Sequence, residues 1–428
     1  MTILQKLSNI VWGKKTTPET IQRFEHSTVF CIAPWIQLHA QNLGDITPCC
    51  MSAYQGETIG SLRTDSNLRN AWNSPKMKQL RLNMLEGRES AMCKNCYSDQ
   101  QLGKWSDRMQ YNHDYTHYFD RVYNTLPDGT VLETDIPLLD IRFSNKCNYK
   151  CRICNSSNST QLYEEELRLG RILPSQNKLE KPATNETAFW DSYLSLLPGV
   201  KRLHFAGGEP LMMDEHYKAL EHLVRIGHTN VTLSYNTNLS NLRYKRYNIV
   251  DLWNQFEKVD VWAILDGMAA VGDYQRKGQD WHTIESNIRY LQTHASTVLF
   301  GIDITVSILN IFHIPLFYQY LVEHKFVTPD RVNLYFLRGP EYFCVTNLTP
   351  GLKTKAVKVY NQFVDSYLAH TKGAEKMKAS AMALIAFMQS EQLYKQAEFK
   401  QRITETDQLR NETFLTIFPE LVEFFVDN

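Results

Sequence analysis

The sequence predicts an α/β fold built on a parallel sheet. Six apolar, β-branched runs follow residue 137, and stretches with helical periodicity lie between them. Such alternation is typical of βα units, whose right-handed crossovers place the loops after each strand on one face. A cysteine-rich region precedes these units and a helical segment follows them. The predicted strands are residues 138–143, 202–206, 231–235, 259–265, 298–306 and 332–337, with helices such as 214–226 and 284–293 between them.

Composition limits the possible partners. A chain of 428 residues with 43% hydrophobic content is long enough for about two or three domains. Lys plus Arg and Asp plus Glu number 46 each, so neither a nucleic-acid partner nor an anionic membrane is expected. No apolar run approaches the roughly 18 residues of a membrane span. Residues 1–15 suggest no secretion signal, and nine cysteines, an odd number, favour a reducing cytoplasm over disulfides.

Three cysteines follow the first predicted strand with the spacing Cys-x3-Cys-x2-Cys. They are Cys147, Cys151 and Cys154. Three thiolates can hold three corners of a cubane iron–sulfur cluster, and without a fourth cysteine nearby one iron stays open to a small molecule. A partial zinc site, or thiols that cluster by chance, is the alternative interpretation.

This segment resembles the signature of the radical S-adenosylmethionine superfamily, with Ile153 where the family usually has an aromatic residue. The resemblance implies a [4Fe–4S] cluster that binds S-adenosylmethionine and cleaves it reductively to a 5′-deoxyadenosyl radical. It assigns the catalytic role to Cys147, Cys151 and Cys154. It also implies a partial (β/α)6 barrel, in agreement with the six predicted strands, and a one-electron reductant such as flavodoxin or ferredoxin.

A Gly-Gly-Glu-Pro turn follows the second predicted strand, beginning 53 positions after Cys154. Paired glycines let a backbone approach a ligand, so we expect a side chain at Gly208 to collide with bound cofactor. The resemblance assigns the turn to the amino group of S-adenosylmethionine, and an ordinary strand-to-helix turn is the alternative. The turn consists of Gly207, Gly208, Glu209 and Pro210.

The resemblance adds cofactor contacts after the third and fourth strands. Arg276 suits a fork-like bond to the cofactor carboxylate, although a solvated surface arginine is an alternative. SPASM-type relatives have a serine that touches the cofactor at the position of Ile264, so this contact is absent here. The implied contacts are Asn236, Asn238, Asp266 and Arg276.

A second cysteine group lies near the N-terminal end. Residues 34–40 and 45–48 flank Asn42-Leu43-Gly44, a pattern that predicts a hairpin with Gly44 at positive φ. Such a hairpin brings Cys31 and Cys49 together at its open end. Cys93 and Cys96 form a Cys-x2-Cys pair, the spacing at which two thiolates ligate one site.

This region resembles the twitch domain, a shortened relative of the SPASM domain. Residues 59–62 and 71–75, followed by Arg81, also match its pattern. The resemblance implies an auxiliary [4Fe–4S] cluster, although the module usually follows the barrel and here precedes it. A four-cysteine zinc knuckle, and Cys50 in place of Cys49, are the alternatives. The implied ligands are Cys31, Cys49, Cys93 and Cys96.

We therefore predict four segments. They are a twitch-like auxiliary iron–sulfur module at 1–100, an aromatic-rich bridging segment at 101–134, a radical S-adenosylmethionine partial barrel at 135–345 and a helical extension at 346–428. The aromatic stretch 111–119 in the bridging segment is alternatively a substrate-facing insertion. Cys344 is predicted to be a small buried hydrophobe, with hydrogen donation to a substrate radical as the alternative.

Together these features predict a cytoplasmic enzyme that abstracts hydrogen from a carbon of a small-molecule or peptide substrate. Two-electron oxidation of a small molecule is the favoured reaction, with the auxiliary cluster as electron acceptor. One alternative is radical modification of a peptide or protein, of the maturase or epimerase type. The other is a metal-structured binding protein without catalytic activity.

Overall fold

The computed structural model describes residues 17–426. The prediction about a secretion signal in residues 1–15 lies outside this range. Among the described residues, no helix has both the length and the apolarity needed to cross a membrane.

Thirteen strands form within the described range. They are β1 (Gln37–Ala40), β2 (Asp45–Thr47), β3 (Gly60–Ser61), β4 (Leu138–Ile141), β5 (Lys150–Cys151), β6 (Arg202–Phe205), β7 (Thr232–Thr237), β8 (Arg243–Tyr244), β9 (Tyr247–Asn248), β10 (Val259–Ile264), β11 (Arg276–Lys277), β12 (Val298–Val306) and β13 (Val332–Phe336).

Sixteen α-helices accompany these strands between residues 17 and 426. They are α1 (Pro18–Glu25), α2 (Leu68–Trp72), α3 (Pro75–Leu85), α4 (Lys94–Gln101), α5 (Asp107–Asp114), α6 (Tyr163–Arg168), α7 (Glu186–Leu196), α8 (Asp214–Arg225), α9 (Ile249–Trp253), α10 (Ala269–Gln275), α11 (Trp281–His294), α12 (Ile314–Glu323), α13 (Pro350–Ser366), α14 (Glu375–Gln389), α15 (Gln396–Arg410) and α16 (Phe414–Ile417).

The chain divides into two compact units. The first contains the residues up to Ser144, together with Glu180–Gly207 and Met213–Ser234. The second contains Asn145–Leu179, Gly208–Met212 and the chain from Tyr235 onward.

In the first unit the strand order is β3-β2-β1-β4-β6. The β1–β2 and β2–β3 pairs are antiparallel, whereas β4 is parallel to both β1 and β6. Gly44 lies in the β1–β2 turn at φ +93°, where glycine lacks the steric penalty of other residues. The predicted hairpin is therefore confirmed. In the same unit, the buried ring of Phe30 packs against those of Trp35 and Phe119.

In the second unit, β10, β12 and β13 form a parallel array. Two short antiparallel pairs, β5–β11 and β8–β9, lie apart from it. Helix α14 packs on β13 through the stacked rings of Phe336 and Phe387, whose centroids are 5.3 Å apart.

The predicted α/β class is confirmed. All six predicted strands form in the predicted order, as β4, β6, β7, β10, β12 and β13, and each buries apolar side chains. The helical periodicity of the C-terminal segment is likewise realised in α13 and α14. The four predicted segment boundaries remain predictions.

Candidate metal centres

The cysteine loop of the second unit, residues 146–155, is an irregular segment held by its own backbone and by β11. Cys151 lies in β5, directly opposite Arg276 in the antiparallel pair. The amide of Cys154 donates to the carbonyl of Cys151 at 3.1 Å, which closes a tight turn between these two thiols. Thr160 fixes the start of the loop, since its hydroxyl donates to the carbonyl of Cys147 at 3.3 Å.

The three thiols of this loop affect one another's ionisation. Burial, reinforced by the neighbouring Cys151, raises the pKa of Cys147 to about 12. Burial likewise raises the pKa of Cys154, with added repulsion from Cys151 and Cys147. Burial also raises the pKa of Cys151, although Arg276 opposes that shift. The free thiols are therefore protonated at neutral pH, and a bound metal cluster would displace those protons.

The Gly-Gly-Glu-Pro turn contacts this loop directly. The amide of Glu209 donates to the carbonyl of Lys146 at 2.7 Å. The Glu209 carboxylate is only 1% exposed and accepts bonds from the Thr237 hydroxyl at 2.7 Å and the Asn238 amide at 2.7 Å. Burial raises the pKa of Glu209, although these donors oppose the shift. The carboxylate thus ties the turn to the end of β7.

Gly208 is constrained by the chain itself. A Cβ atom built there would overlap the carbonyl oxygen of Lys146 and lie 2.6 Å from its carbonyl carbon. The expectation that a side chain at Gly208 collides with bound cofactor is therefore incomplete, because that side chain first meets the cysteine loop. Gly207 is less crowded, with φ +115° and the Ser144 carbonyl oxygen at 3.2 Å.

The two asparagines at the end of β7 have different surroundings. Asn238 donates from its side chain to Asn148 in the cysteine loop at 2.8 Å. Asn236 instead donates to the carboxylate of Asp303 at 2.8 Å, and Asn333 donates to the same carboxylate at 2.8 Å. Of the two residues, Asn238 is therefore the one that touches the cysteine loop.

Arg276 is buried, with 8% of its surface exposed, so the solvated surface interpretation is wrong. Its Nη1 is 2.8 Å from Asp266, whose other oxygen accepts the Thr305 amide at 2.8 Å. Burial alone would lower the pKa of Arg276, but its neighbours Cys151 and Asp266 raise it. The Nε of Arg276 is buried and has no hydrogen-bond partner among the described residues. An anionic ligand group suits this N–H donor.

The first unit holds the other cysteine group. Cys31 follows Phe30, whose carbonyl accepts bonds from Arg108 at 2.7 Å and Asn112 at 2.9 Å. Cys49 follows the β1–β2 hairpin, and its sulfur is 3.4 Å from the Ser52 hydroxyl. Cys93 immediately precedes α4, and Cys96 lies in its first turn.

The four thiols of this group also affect one another's ionisation. The pKa of Cys31 is raised by burial and further by Cys49 and Cys93. Burial and Cys49 raise the pKa of Cys93 to about 12, and the pKa of Cys96 is raised by burial with contributions from Cys49 and Cys31. Cys49 thus acts on each of the other three thiols. The pKa of Cys50 is raised by burial, by Cys49 and by Asp140.

Residues 71–75 of the twitch-like pattern contact Arg81, whose side chain is fully buried. Its guanidinium donates to the carbonyls of Pro34 at 2.9 Å and Trp72 at 2.8 Å, and to the Asn73 side chain at 2.8 Å. It also lies over the Trp72 ring at 4.7 Å. Arg81 therefore fixes the segment before β1 against α2 and α3.

Cys344 lies outside both groups and is 2% exposed. Burial raises the pKa of Cys344 to about 12. Its thiol donates to the Pro340 carbonyl at 3.6 Å. These surroundings fit the prediction of a small buried hydrophobe.

Within residues 17–426, no three His, Cys, Asp or Glu side chains converge as ligands of a single metal ion. Both cysteine groups nevertheless offer soft sulfur donors, the ligand type of iron–sulfur clusters. Arg276, which lies opposite Cys151 in the β5–β11 pair, has a buried Nε without a hydrogen-bond partner among the described residues.

Comparison with known proteins supports part of this assignment. Residues 31–97 match the SPASM family, an iron–sulfur cluster-binding domain. The matched range contains all four candidate ligands of the first unit. It covers less than half of the chain. The predicted twitch-like region is therefore confirmed as a SPASM-type iron–sulfur domain. No curated protein matches the chain.

Solved structures share only remote similarity. Native anSMEcpe with bound AdoMet and Cp18Cys peptide aligns with a TM-score of 0.37 and 18% identity, over 54% of this chain and 62% of that chain. Streptococcus suis SuiB bound to S-adenosylmethionine aligns with a TM-score of 0.35 and 12% identity, over 77% of this chain and 69% of that chain. The chain thus spans about three fifths of the first of these structures. Similarity at this level does not identify an activity.

Several residues of the cysteine loop's surroundings were not predicted from sequence. The sequence gives a weak indication of Asn148 and Thr160 as site residues, since they lie within or shortly after the cysteine motif. Asp407 and Glu412 bond to Arg152 in this loop from 255 and 260 positions away. Only tertiary structure reveals such partners.

Proposed function

We propose that the chain is a radical S-adenosylmethionine enzyme. The observation that carries this proposal is the convergence of separate sequence motifs on one three-cysteine loop. The Glu209 amide bonds to Lys146, the Asn238 side chain bonds to Asn148, and Arg276 pairs with Cys151. These residues come from three separate segments of the chain, yet all of them contact residues 146–151.

Cys147, Cys151 and Cys154 would hold the catalytic [4Fe–4S] cluster. When bound, this cluster supplies the electron that splits S-adenosylmethionine into methionine and a 5′-deoxyadenosyl radical. The turn at residues 207–210 would orient the methionyl group, and the Nε of Arg276 would donate to its carboxylate. Asn236 and Asp266 would act indirectly, through Asp303 and Arg276.

Cys31, Cys49, Cys93 and Cys96 would hold an auxiliary [4Fe–4S] cluster in the SPASM-type domain. Four protein thiolates leave no open iron for a substrate, which suits an electron-transfer role. We therefore propose two-electron oxidation of a small molecule after hydrogen abstraction from a substrate carbon. A one-electron reductant such as flavodoxin or ferredoxin would be needed to start each turnover.

Anaerobic reconstitution tests this function. We expect about eight irons per chain and release of 5′-deoxyadenosine from S-adenosylmethionine under reducing conditions. Alanine at Cys147, Cys151 and Cys154 together should leave about four irons and abolish cleavage. Alanine at Cys93 and Cys96 should stop product formation while cleavage continues, and a Cys344→Ala control should keep both clusters.

Other outcomes would redirect the assignment. Zinc at the SPASM-type site after anaerobic purification would overturn the auxiliary cluster. Iron binding without any 5′-deoxyadenosine would indicate a metal-structured binding protein. A peptide that co-purifies, identified by mass spectrometry, would favour radical modification of a peptide or protein.

A further inference from the structure

Arg152 lies in the cysteine loop between Cys151 and Cys154, and its side chain is 2% exposed. Its Nη2 is 2.5 Å from a carboxylate oxygen of Asp407 and 2.5 Å from one of Glu412. The guanidinium also lies over the Tyr274 ring at 3.6 Å, and its Nε donates to the Tyr274 carbonyl at 3.2 Å. A buried guanidinium therefore faces two carboxylates from the C-terminal part of the chain.

These two carboxylates are themselves fixed. Asp407 accepts the Tyr274 hydroxyl at 2.7 Å on one oxygen and the Phe414 amide at 2.7 Å on the other. Glu412 accepts a bond from Lys277 of β11 at 2.7 Å. The last turn of α15 and the residues after it are thus bonded to the loop and to the strand that pairs with it.

A second link holds the other side of Cys151. Lys150 is 3.0 Å from Glu165 of α6. Glu165 is in turn 2.7 Å from Arg410, the last residue of α15. Both neighbours of Cys151, Lys150 and Arg152, are therefore connected to residues 407–412.

Disturbing this arrangement would lower the stability of the folded chain. A buried charge is tolerated only when it is paired and hydrogen-bonded, so loss of either carboxylate leaves the Arg152 guanidinium incompletely compensated. Arg152 belongs to the turn closed by the bond from the Cys154 amide to the Cys151 carbonyl. Movement of Arg152 would therefore move the two thiols on either side of it.

We propose that Arg152, Asp407 and Glu412 are positioning residues, which hold the cysteine loop so that Cys151 and Cys154 present their sulfurs together to a metal cluster. The proposal rests on the proposed function, since it assigns the loop to cluster binding. It gives the C-terminal segment a defined task, namely maintenance of the cluster-binding conformation.

Alkylation of the metal-free full-length chain tests the positioning without any cluster. Iodoacetamide labelling followed by peptide mass spectrometry gives a rate for each cysteine. In an Asp407→Asn/Glu412→Gln variant we expect Cys151 and Cys154 to react about tenfold faster, because the loop opens more often. Cys344, in the same unit, should keep its slow rate. An equal rise at Cys344 would indicate general unfolding of the unit and overturn the positioning role.

A matched control comes from the same helix. Glu405 of α15 pairs with Arg171 at 2.9 Å, outside the cysteine loop. Glu405→Gln should leave every labelling rate unchanged. Arg152→Lys keeps the positive charge but loses the planar guanidinium, so it should accelerate the labelling of Cys151 and Cys154. Rates in Asp407→Asn/Glu412→Gln that equal those of Glu405→Gln would refute the proposal.

Iron content after reconstitution gives the second measurement. The Asp407→Asn/Glu412→Gln variant should hold about four irons per chain, those of the SPASM-type site, where the unmodified chain holds about eight. If the unmodified chain itself binds no iron at Cys147, Cys151 and Cys154, the proposed function fails, while the labelling result still reports on the loop. Full iron loading in the variant would overturn the positioning role alone.

Discussion

At the three-cysteine loop, the neighbouring backbone restricts which amino acid can occupy a position as much as a ligand does. Gly208 shows this, because the Lys146 carbonyl occupies the space of its missing Cβ. The Gly-Gly-Glu-Pro motif therefore has a structural reason in addition to the proposed cofactor contact. It lets the turn lie directly against the cysteine loop, where the Glu209 amide bonds to the same carbonyl.

Gly208→Ala should consequently destabilise the second unit even without metal or cofactor. We expect the free energy of unfolding to fall by about 1–3 kcal/mol, as for other overpacked sites. Urea unfolding of the metal-free chain measures this. Gly199→Ala is the matched control, since a Cβ there meets only the Asp135 Cβ at 3.6 Å. Equal stability of the two variants would show that the turn adapts without cost.

Arg276 shows which properties of a site residue can be predicted from the sequence and which cannot. Its position ten residues after Asp266 and the family resemblance identify it as a site residue. The sequence does not reveal that Asp266 is its partner at 2.8 Å, because that ion pair depends on how α10 folds back after β10. Its unpartnered Nε likewise becomes visible only in the folded chain.

At the scale of elements, the six parallel-type strands were the most predictable feature. Each contains apolar residues that are buried, and such segments carry a strong local signal. The two-residue strands β5, β8, β9 and β11 were not predicted. Strands this short have little propensity of their own, and pairing partners such as Cys151 and Arg276 define them. The link from α15 to the cysteine loop was missed for the same reason, since it depends on contacts distant in sequence.

The β1–β2 hairpin of the first unit connects two of the four candidate ligands, Cys31 and Cys49. Gly44→Ala should disrupt it, because a Cβ at this position would overlap the Pro182 carbonyl oxygen and φ is +93°. We expect iron in the anaerobically reconstituted chain to fall from about eight to about four per molecule, through loss of the SPASM-type site. Atomic absorption measures the total.

Gly56→Ala is the control for this change. Gly56 also has positive φ, +69°, but no described atom lies within 4 Å of an added Cβ. The control carries the conformational cost without the steric clash, so it should keep its full iron content. Equal iron loss in both variants would attribute the effect to backbone conformation and not to the Pro182 contact.

For the molecule as a whole, the pH dependence of stability follows from groups whose pKa differs between the folded and the unfolded chain. Three of these lie in the first unit. Burial lowers the pKa of His204 to about 4 and that of His216 to about 3. Burial alone would raise the pKa of Asp140, but Arg142 and the neighbouring histidines lower it well below its usual value.

All three shifts have the same sign, because in each case the unfolded chain binds protons more readily than the folded chain. The stability that the two histidines contribute is therefore fully present above the ordinary histidine pKa of 6.5 and is lost as the pH falls from there toward 4 and 3. Each buried histidine should cost about 2 kcal/mol of unfolding free energy by pH 5. Asp140 adds a further loss only below the ordinary carboxyl pKa of 3.8.

Urea unfolding at pH 7.5 and pH 5, followed by intrinsic fluorescence, measures this dependence. His216 lies at 0% exposure with its ring 4.8 Å from that of Phe205, so His216→Phe keeps an aromatic ring in an apolar site and removes the titration. We expect the variant to lose about 2 kcal/mol less than the unmodified chain between the two pH values. His282, whose side chain is 93% exposed, provides the control, and His282→Gln should retain the full pH dependence. A pH profile that is the same in all three proteins would show that His216 does not contribute to the loss of stability in acid.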